Sequence, residues 1–198
     1  MGYFSRGVSV QLLDWIERRE TQQQSASLGS LKIIKGMHSN GAEAHAMTPL
    51  FKKLNLKAQT DLLVVNPPPS FTAELSALTG VTIHHNVDSL AVIEFSLAFV
   101  TQQQDVDNLA AAIGPRVQGD GLVWFAYPKR SSKHYTDDIN RDTGWAALGQ
   151  LGFEPVRQVA IDTDWSALRF RRVEFIKTMT RDPKRSISGA GQAKATQP

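Results

Sequence analysis

From Thr48 onward, short continuous apolar runs alternate with stretches whose apolar residues recur at helical spacing, and this pattern predicts strands exchanging with helices. Residues 48–56 (TPLFKKLNL) read as a helix start. Thr48 is the cap, Pro49 takes the first helical position, and Leu50, Phe51 and Leu54 share one side. Asp61–Val65 is a continuously apolar strand ended by Asn66 and three prolines. Ser70 is then placed to cap a helix whose Phe71, Leu75 and Leu78 fall on one face, closed by Gly80. Residues 81–84 supply a second strand, and 91–100 a third that becomes wholly apolar, as a central strand does. Thr101 and Gln104 match a capping box ahead of the stripe Val106, Leu109, Ala110 and Ile113, which stops at Gly114-Pro115.

A fourth strand, 122–127, breaks at Pro128 into a loop rich in hydroxyl and basic groups. Asp138 is read as the cap of a helix through Leu151, with Gly152 in the left-handed cap position and Phe153 packing back on Leu148. Residues 156–161 and 167–176, joined by Asp162-Thr163-Asp164-Trp165, predict a closing antiparallel hairpin. The expected fold class is therefore α/β: a three-layered, mainly parallel, Rossmann-like sheet ending in an antiparallel hairpin.

The flanks differ from this core. Val8, Leu12, Trp15 and Ile16 predict a short amphipathic helix within 8–19, followed by a polar linker over 21–46. His38 and His45 lie in that linker at a spacing too loose for a metal site. Met47 opens the globular segment and is a candidate translational start. The chain thus divides into an extension at 1–46, a domain at 47–177 and a tail at 178–198.

Composition narrows the classes of function. The 198 residues, 41% of them hydrophobic, suffice for one ordinary domain of roughly 100–200 residues. No run approaches the ~18 apolar residues of a membrane span, and the N-terminus lacks the charged flank and apolar block of a signal peptide. A cytoplasmic protein without a membrane partner is expected. The absence of cysteine removes disulfides and thiolate zinc sites. The net charge is +3, but residues 177–198 carry Lys177, Arg181, Lys184, Arg185 and Lys194 against Asp182, so the remainder sums to −1. Nucleic-acid contact is accordingly expected to be limited to weak contact by a disordered basic tail.

The order of elements, ending in a helix, Gly-Phe and a hairpin, resembles a trimmed methyltransferase-type Rossmann domain. The segments PLFKKLNL (49–56), LVVNPPPSF (63–71), WFAYPKRSS (124–132) and DTDWSALRF (162–170) together resemble a family of small bacterial proteins marked by PKxS and WSxLRF motifs. That resemblance covers roughly residues 48–175 and implies a fold without an activity. Enzymes of the methyltransferase type bring S-adenosylmethionine close to a glycine-rich turn after the first strand; here Asn66-Pro67-Pro68-Pro69 occupies it, and proline offers no N–H to a ligand. His84 and His85 stand where an acidic residue for ribose hydroxyls is usual. The same NPPP also resembles the Asn-Pro-Pro-aromatic loop of amino-methylating DNA methyltransferases, but proline holds the fourth place and a rigid turn is the better account.

Ligands of open α/β sheets bind outside the carboxyl ends of the strands. Loops 66–70 and 128–138 both leave such ends and are expected to be neighbours. Lys129, Ser131 and Ser132 offer a cation and hydroxyls to an anionic group, as do Arg130, Lys133 and His134, while Asn66 donates and accepts. Trp165 and Ser166, read as hairpin-turn residues, complete a candidate ligand-binding set of Asn66, Lys129, Ser131, Ser132, Trp165 and Ser166. A structural reading stays open beside it: Lys129 pairing with Asp137 or Asp138, Ser131 capping the next helix, and Trp165 packing with Leu168 and Phe170. Arg169 and Arg171 alternate with those apolar residues and are read as a solvated face. Without an aligned base, nucleophile or metal cluster, no catalytic residue, metal or cofactor is expected. The functional expectation is a non-catalytic binding or interaction module, for an anionic small molecule or a protein partner, with a divergent methyltransferase-type transferase as the alternative.

Overall fold

The computed structural model describes residues 47–196; the helix expected within 8–19 and the linker with His38 and His45 lie outside them. Helix α1, Pro49–Lys53, begins as its sequence predicts, with the Thr48 hydroxyl accepting from the Phe51 amide at 3.2 Å. Strand β1, Asp61–Val65, buries every residue but its first, because it has a parallel neighbour on each side: β2, Thr82–His84, and β3, Ile93–Phe99. Strand β4, Val117–Pro128, pairs parallel to β3 and starts before the apolar run 122–127, since Ile93 finds a partner in Val117 across a register shift. Strands β5, Phe153–Ala160, and β6, Trp165–Arg172, form the expected antiparallel hairpin, and it is β6 that pairs with β4. The order β2-β1-β3-β4-β6-β5 makes this an α/β protein with a six-stranded mixed sheet.

The alternation of side chains along the strands feeds two cores, one on each face of the sheet. Leu62, Val64, Leu97 and Trp124 pack with Phe51, Leu54 and Phe71. Leu63, Val65, Phe125 and Phe170 pack instead with Val106, Ala110 and Ile113 of helix α3, Gln103–Ile113, and with Trp145 and Leu148. In numbering order α2 is Thr72–Ser76, α4 is Ala146–Gln150 and α5 is Gly189–Ala195.

Several local expectations are corrected. Ser70 does not cap α2: the chain enters through a 3-10 turn, Pro69–Phe71, and the Ser70 hydroxyl instead donates to Asp162 at 3.4 Å. The helix expected over 138–151 is confined to α4. Asn140 accepts from the amides of Asp142 and Thr143, and Gly144 at φ 101° breaks the path before Trp145. Gly152, at φ 78°, does close α4, and Phe153 and Leu148 share a core.

Asp138 caps a different helix from the one expected. Its carboxylate accepts from the Gln103 amide at 2.7 Å, while its own amide donates to the Thr101 carbonyl at 3.3 Å. The N-cap of α3 is Gln102, with no side-chain bond of its own, so the expected Thr101–Gln104 capping box is replaced by a carboxylate from 35 residues away. Replacing Asp138 by alanine is expected to cost about 0.5–2 kcal/mol, the usual range for a lost cap, and to speed amide exchange in the first turn of α3. Denaturant unfolding with hydrogen exchange checks both.

The largest correction concerns the tail. Residues 178–196 are ordered and belong to the same compact unit as the sheet. A 3-10 turn, Pro183–Arg185, and α5 follow, each with a side-chain cap: Asp182 accepts from the Lys184 amide and Ser188 from the Gly191 amide. The anchor is Glu154, fully buried on β5, whose carboxylate accepts from the Ser188 amide at 2.8 Å, the Ser188 hydroxyl at 2.6 Å and the Ile187 amide at 3.3 Å, and pairs with Arg181 at 3.2 Å. A Cβ on Gly191 would stand 2.1 Å from that carboxylate, so this position needs glycine.

Candidate functional site

The strand order reverses between β1 and β3, the place where open parallel sheets leave a crevice at their carboxyl ends. A cavity of about 220 Å³ lies there, lined by Asn66, Pro68 and Pro69 after β1, Phe99 at the end of β3 and Thr101 just past it, and Asp105, Tyr135 and Trp165. The loops after β1 and β4 both border this cavity, the second through Tyr135 rather than Lys129. Trp165 packs between two rings, tilted against Tyr135 at 4.7 Å and edge-to-face with Phe99 at 5.2 Å between centroids. It is the first residue of β6 rather than part of the turn, and with Ser166 it is buried.

The hydroxyl and basic groups of 128–138 are turned to another purpose. The Lys129 amide donates to the Asp164 carbonyl at 2.6 Å, and its ammonium donates to the Asp162 carbonyl. The Ser132 hydroxyl donates to Asp164 at 2.7 Å and accepts from the amides of His134 and Tyr135. The Asp162 carboxylate in turn accepts from the amides of Asp164 and Trp165. Together these bonds clamp the loop after β4 to the β5–β6 turn, and neither Asp137 nor Asp138 is the partner of Lys129. Ser131 is exposed and does not line the crevice, whereas Ser166 and Lys129 border a separate hollow of about 580 Å³ whose walls mix Arg130 and Arg141 with Asp137 and Asp142.

Asp164 carries a testable mark of this clamp. The hydrogen bond from Ser132, helped by His134, holds its carboxyl below the ordinary aspartate value of 3.8. A depressed folded value means that the clamp contributes stability above about pH 4 and loses it as the pH falls through the folded value. Carboxyl-resolved NMR titration is expected to place the Asp164 midpoint below 3.8, and Ser132→Ala is expected to raise it toward that value.

Arg169 and Arg171 are not a solvated face. Arg171 forms a two-pronged ion pair with Asp120, and Arg169 lies 4.0 Å from the same carboxylate. His84 and His85 are also committed within the fold, to Asp61 at 2.8 Å and to the Val64 carbonyl at 2.7 Å. Among the described residues no group of three His, Asp or Glu side chains is placed to hold a metal.

The strongest concentration of charge arises where β5, the turn before α4 and the C-terminal segment meet. A cleft of about 560 Å³ there is lined by Arg141, Arg157, Arg181, Lys184 and Arg185 against the single carboxylate of Asp142, with Trp145 and Leu168 as apolar wall. Arg181 is held by Glu154, and Arg185 lies 3.7 Å from Asp142. The side chains of Arg141, Arg157 and Lys184 form no hydrogen bond or ion pair among the described residues. Ser186 also lines the cleft; it is only 6% exposed and its hydroxyl is unpartnered. Sequence reading missed this cleft because three of its cations lie in the segment taken for a solvated tail. The readable signal was the pair of caps, Asp182 before Pro183 and Ser188 three residues before Gly191, which a disordered tail has no use for. No protein-family model matches the chain, and no curated protein matches it in sequence.

Proposed function

We propose that this chain is a Rossmann-like, three-layered binding module without a catalytic step of its own, and that it takes an anionic small molecule in the cleft between β5 and the C-terminal segment. The observation that carries this reading is a cleft lined by five cations, of which Glu154 holds Arg181 and Asp142 lies beside Arg185, while the other three form no ion pair among the described residues. A cleft of about 560 Å³ falls within the roughly 300–1,000 Å³ typical of small-molecule sites, and its Trp145–Leu168 wall suits an apolar portion of the ligand. Ser186 supplies a buried hydroxyl with no histidine beside it among the described residues lining the cleft, which favours holding over turnover.

Isothermal titration of the full chain with inorganic phosphate, pyrophosphate and adenosine triphosphate tests the proposal. Saturable binding that weakens with salt is expected, and the double variant Arg157→Ala/Lys184→Ala is expected to lose at least tenfold in affinity while keeping its unfolding midpoint. Absence of saturable binding by all three anions, or an unchanged affinity in the double variant, rejects it.

A second reading, a divergent methyltransferase-type transferase, is favoured by the closing hairpin with antiparallel β6 between β4 and β5. Against it stand the NPPP turn and the small volume of the crevice beside it. Binding of S-adenosylmethionine at the β1 turn, without anion binding at the cleft, would favour the transferase.

A further inference from the structure

We propose that a cavity at the amino ends of β1 and β4 binds a small phosphate monoester through its phosphoryl group, with the Arg169 guanidinium as the principal contact. The cavity shares no residue with the anion cleft, so the inference goes beyond that reading and does not rest on it.

Arg169 is too enclosed for full hydration and too poorly partnered for a structural cation. Its side chain is 13% exposed, yet it forms no hydrogen bond among the described residues, and its Nε–H is buried without an acceptor. The Asp120 carboxylate stands 4.0 Å away, beyond hydrogen-bond reach, and both of its oxygens already accept from Arg171. Arg157 is the residue opposite Arg169 on β5, and Arg171 follows two places on along β6, so like charges flank it. Burial holds the Arg169 guanidinium below its ordinary pKa; Asp120 opposes this, and Arg171 and Arg157 add to it. The group stays charged at neutral pH all the same. Every other arginine among the described residues is either hydrogen-bonded or exposed.

The cavity that Arg169 lines supplies what such a cation lacks. It measures about 320 Å³ and is walled by Arg169, Arg171 and Asp120 on one side and, on the other, by Asn55, Lys57 and Gln59 from the segment between α1 and β1. The Gln59 Oε1 accepts from the Lys57 amide at 2.9 Å, which leaves the Gln59 side-chain N–H groups free to donate, and the Lys57 ammonium is also unbonded. Donors therefore reach the cavity from both sides, as a tetrahedral oxyanion requires. Arginine contributes a planar fork suited to phosphoryl oxygens, and lysine a point charge. Lys57, Arg169 and Arg171 against Asp120 leave an excess of two positive charges. A phosphate monoester, at roughly −1.5 to −2 near neutral pH, offsets that excess, whereas a carboxylate offsets half of it. The volume lies at the small end of the roughly 300–1,000 Å³ of ligand sites, so a short organic portion fits beside the phosphoryl group. No aromatic side chain is among the described residues that line it, so a nucleotide base finds no ring to stack on.

The test is a titration of the full chain with glycerol 3-phosphate, inorganic phosphate and acetate at constant ionic strength, read by the NMR shifts of backbone amides and arginine Nε–H groups. Saturating shifts are expected at Lys57, Gln59, Asp120 and the Arg169 Nε–H at millimolar concentration or below. Glycerol 3-phosphate is expected to bind at least as tightly as inorganic phosphate, and acetate not to saturate over the same range. Arg169→Gln is expected to weaken binding at least tenfold. Lys57→Ala, a change at an exposed side chain, is expected to weaken it severalfold at an unchanged unfolding midpoint, and serves if Arg169→Gln does not fold. The proposal is overturned if the ester does not saturate, if acetate or the free phosphate ion binds more tightly than the ester, or if a folded Arg169 or Lys57 variant binds like the parent. Shifts confined to Lys184, Ser186 and Ile187 would overturn it while leaving the anion cleft standing; shifts at Lys57 and Gln59 without those three would do the reverse.

Discussion

Replacing Glu154 by alanine is expected to destabilise the protein by about 3–5 kcal/mol and to release residues 177–196 to protease, the cost expected when one partner of a buried ion pair is removed. The magnitude follows from what the carboxylate does. It is fully buried, and it accepts from two amides and one hydroxyl while it neutralises Arg181. Its loss leaves the Ser188 and Ile187 amides without acceptors and an arginine without its counter-charge. Glu154→Gln keeps the shape and part of the acceptor capacity but removes the charge, so its cost is expected to fall between wild type and alanine. Urea unfolding measures the energies, and limited proteolysis reads the release. An alanine variant that resists cleavage between 177 and 196 as well as wild type would show that the segment is held by something else. The cleft depends on the same anchor, because Arg181, Lys184 and Arg185 lie between Lys177 and Ser188; anion affinity is expected to fall with the release.

Much of the sheet was readable because its signals are local. The runs at 62–65 and 97–100 are too continuously apolar for anything but interior strands, and the Thr48-Pro49 start carries its own cap. The failures share one cause, which is that polar side chains take partners far along the chain. Asp138 looked like the cap of its own helix and instead caps one 35 residues earlier. Lys129 and Ser132 looked like ligand groups because they are clustered and polar, yet Asp162 and Asp164, some 30 residues on, absorb them. Glu154 had no visible reason to be buried, since its partners are Arg181, Ile187 and Ser188, so the tail read as solvated. Pattern reading assigns apolar residues to faces well; it cannot pair charges that only the fold brings together.

The crevice was legible in part. Asn66 and Trp165 were identified and do border one cavity, whereas Asp105, Phe99 and Tyr135 were not, because a helix first turn, a strand end and a loop share no sequence spacing. Lys129 and Ser166 border a different hollow, so the six candidate residues do not form a single site.

Trp165 offers the sharpest comparison. Truncation to alanine is expected to cost about 3–5 kcal/mol, as for other buried aromatic residues, because the ring is 3% exposed and packs against Phe99 and Tyr135. Trp165→Phe should be far milder. Its indole N–H is buried without a partner, so the substitution removes an unsatisfied donor along with some volume. Trp124 is the control: its indole donates to the Leu54 carbonyl at 3.0 Å in the core on the same face of the sheet. Both substitutions remove the same atoms, so the cavity contributions are similar and their difference isolates the hydrogen bond. Trp124→Phe is therefore expected to cost about 1–3 kcal/mol more than Trp165→Phe, measured by urea unfolding. Equal costs would mean that the Trp165 indole has a partner in solution.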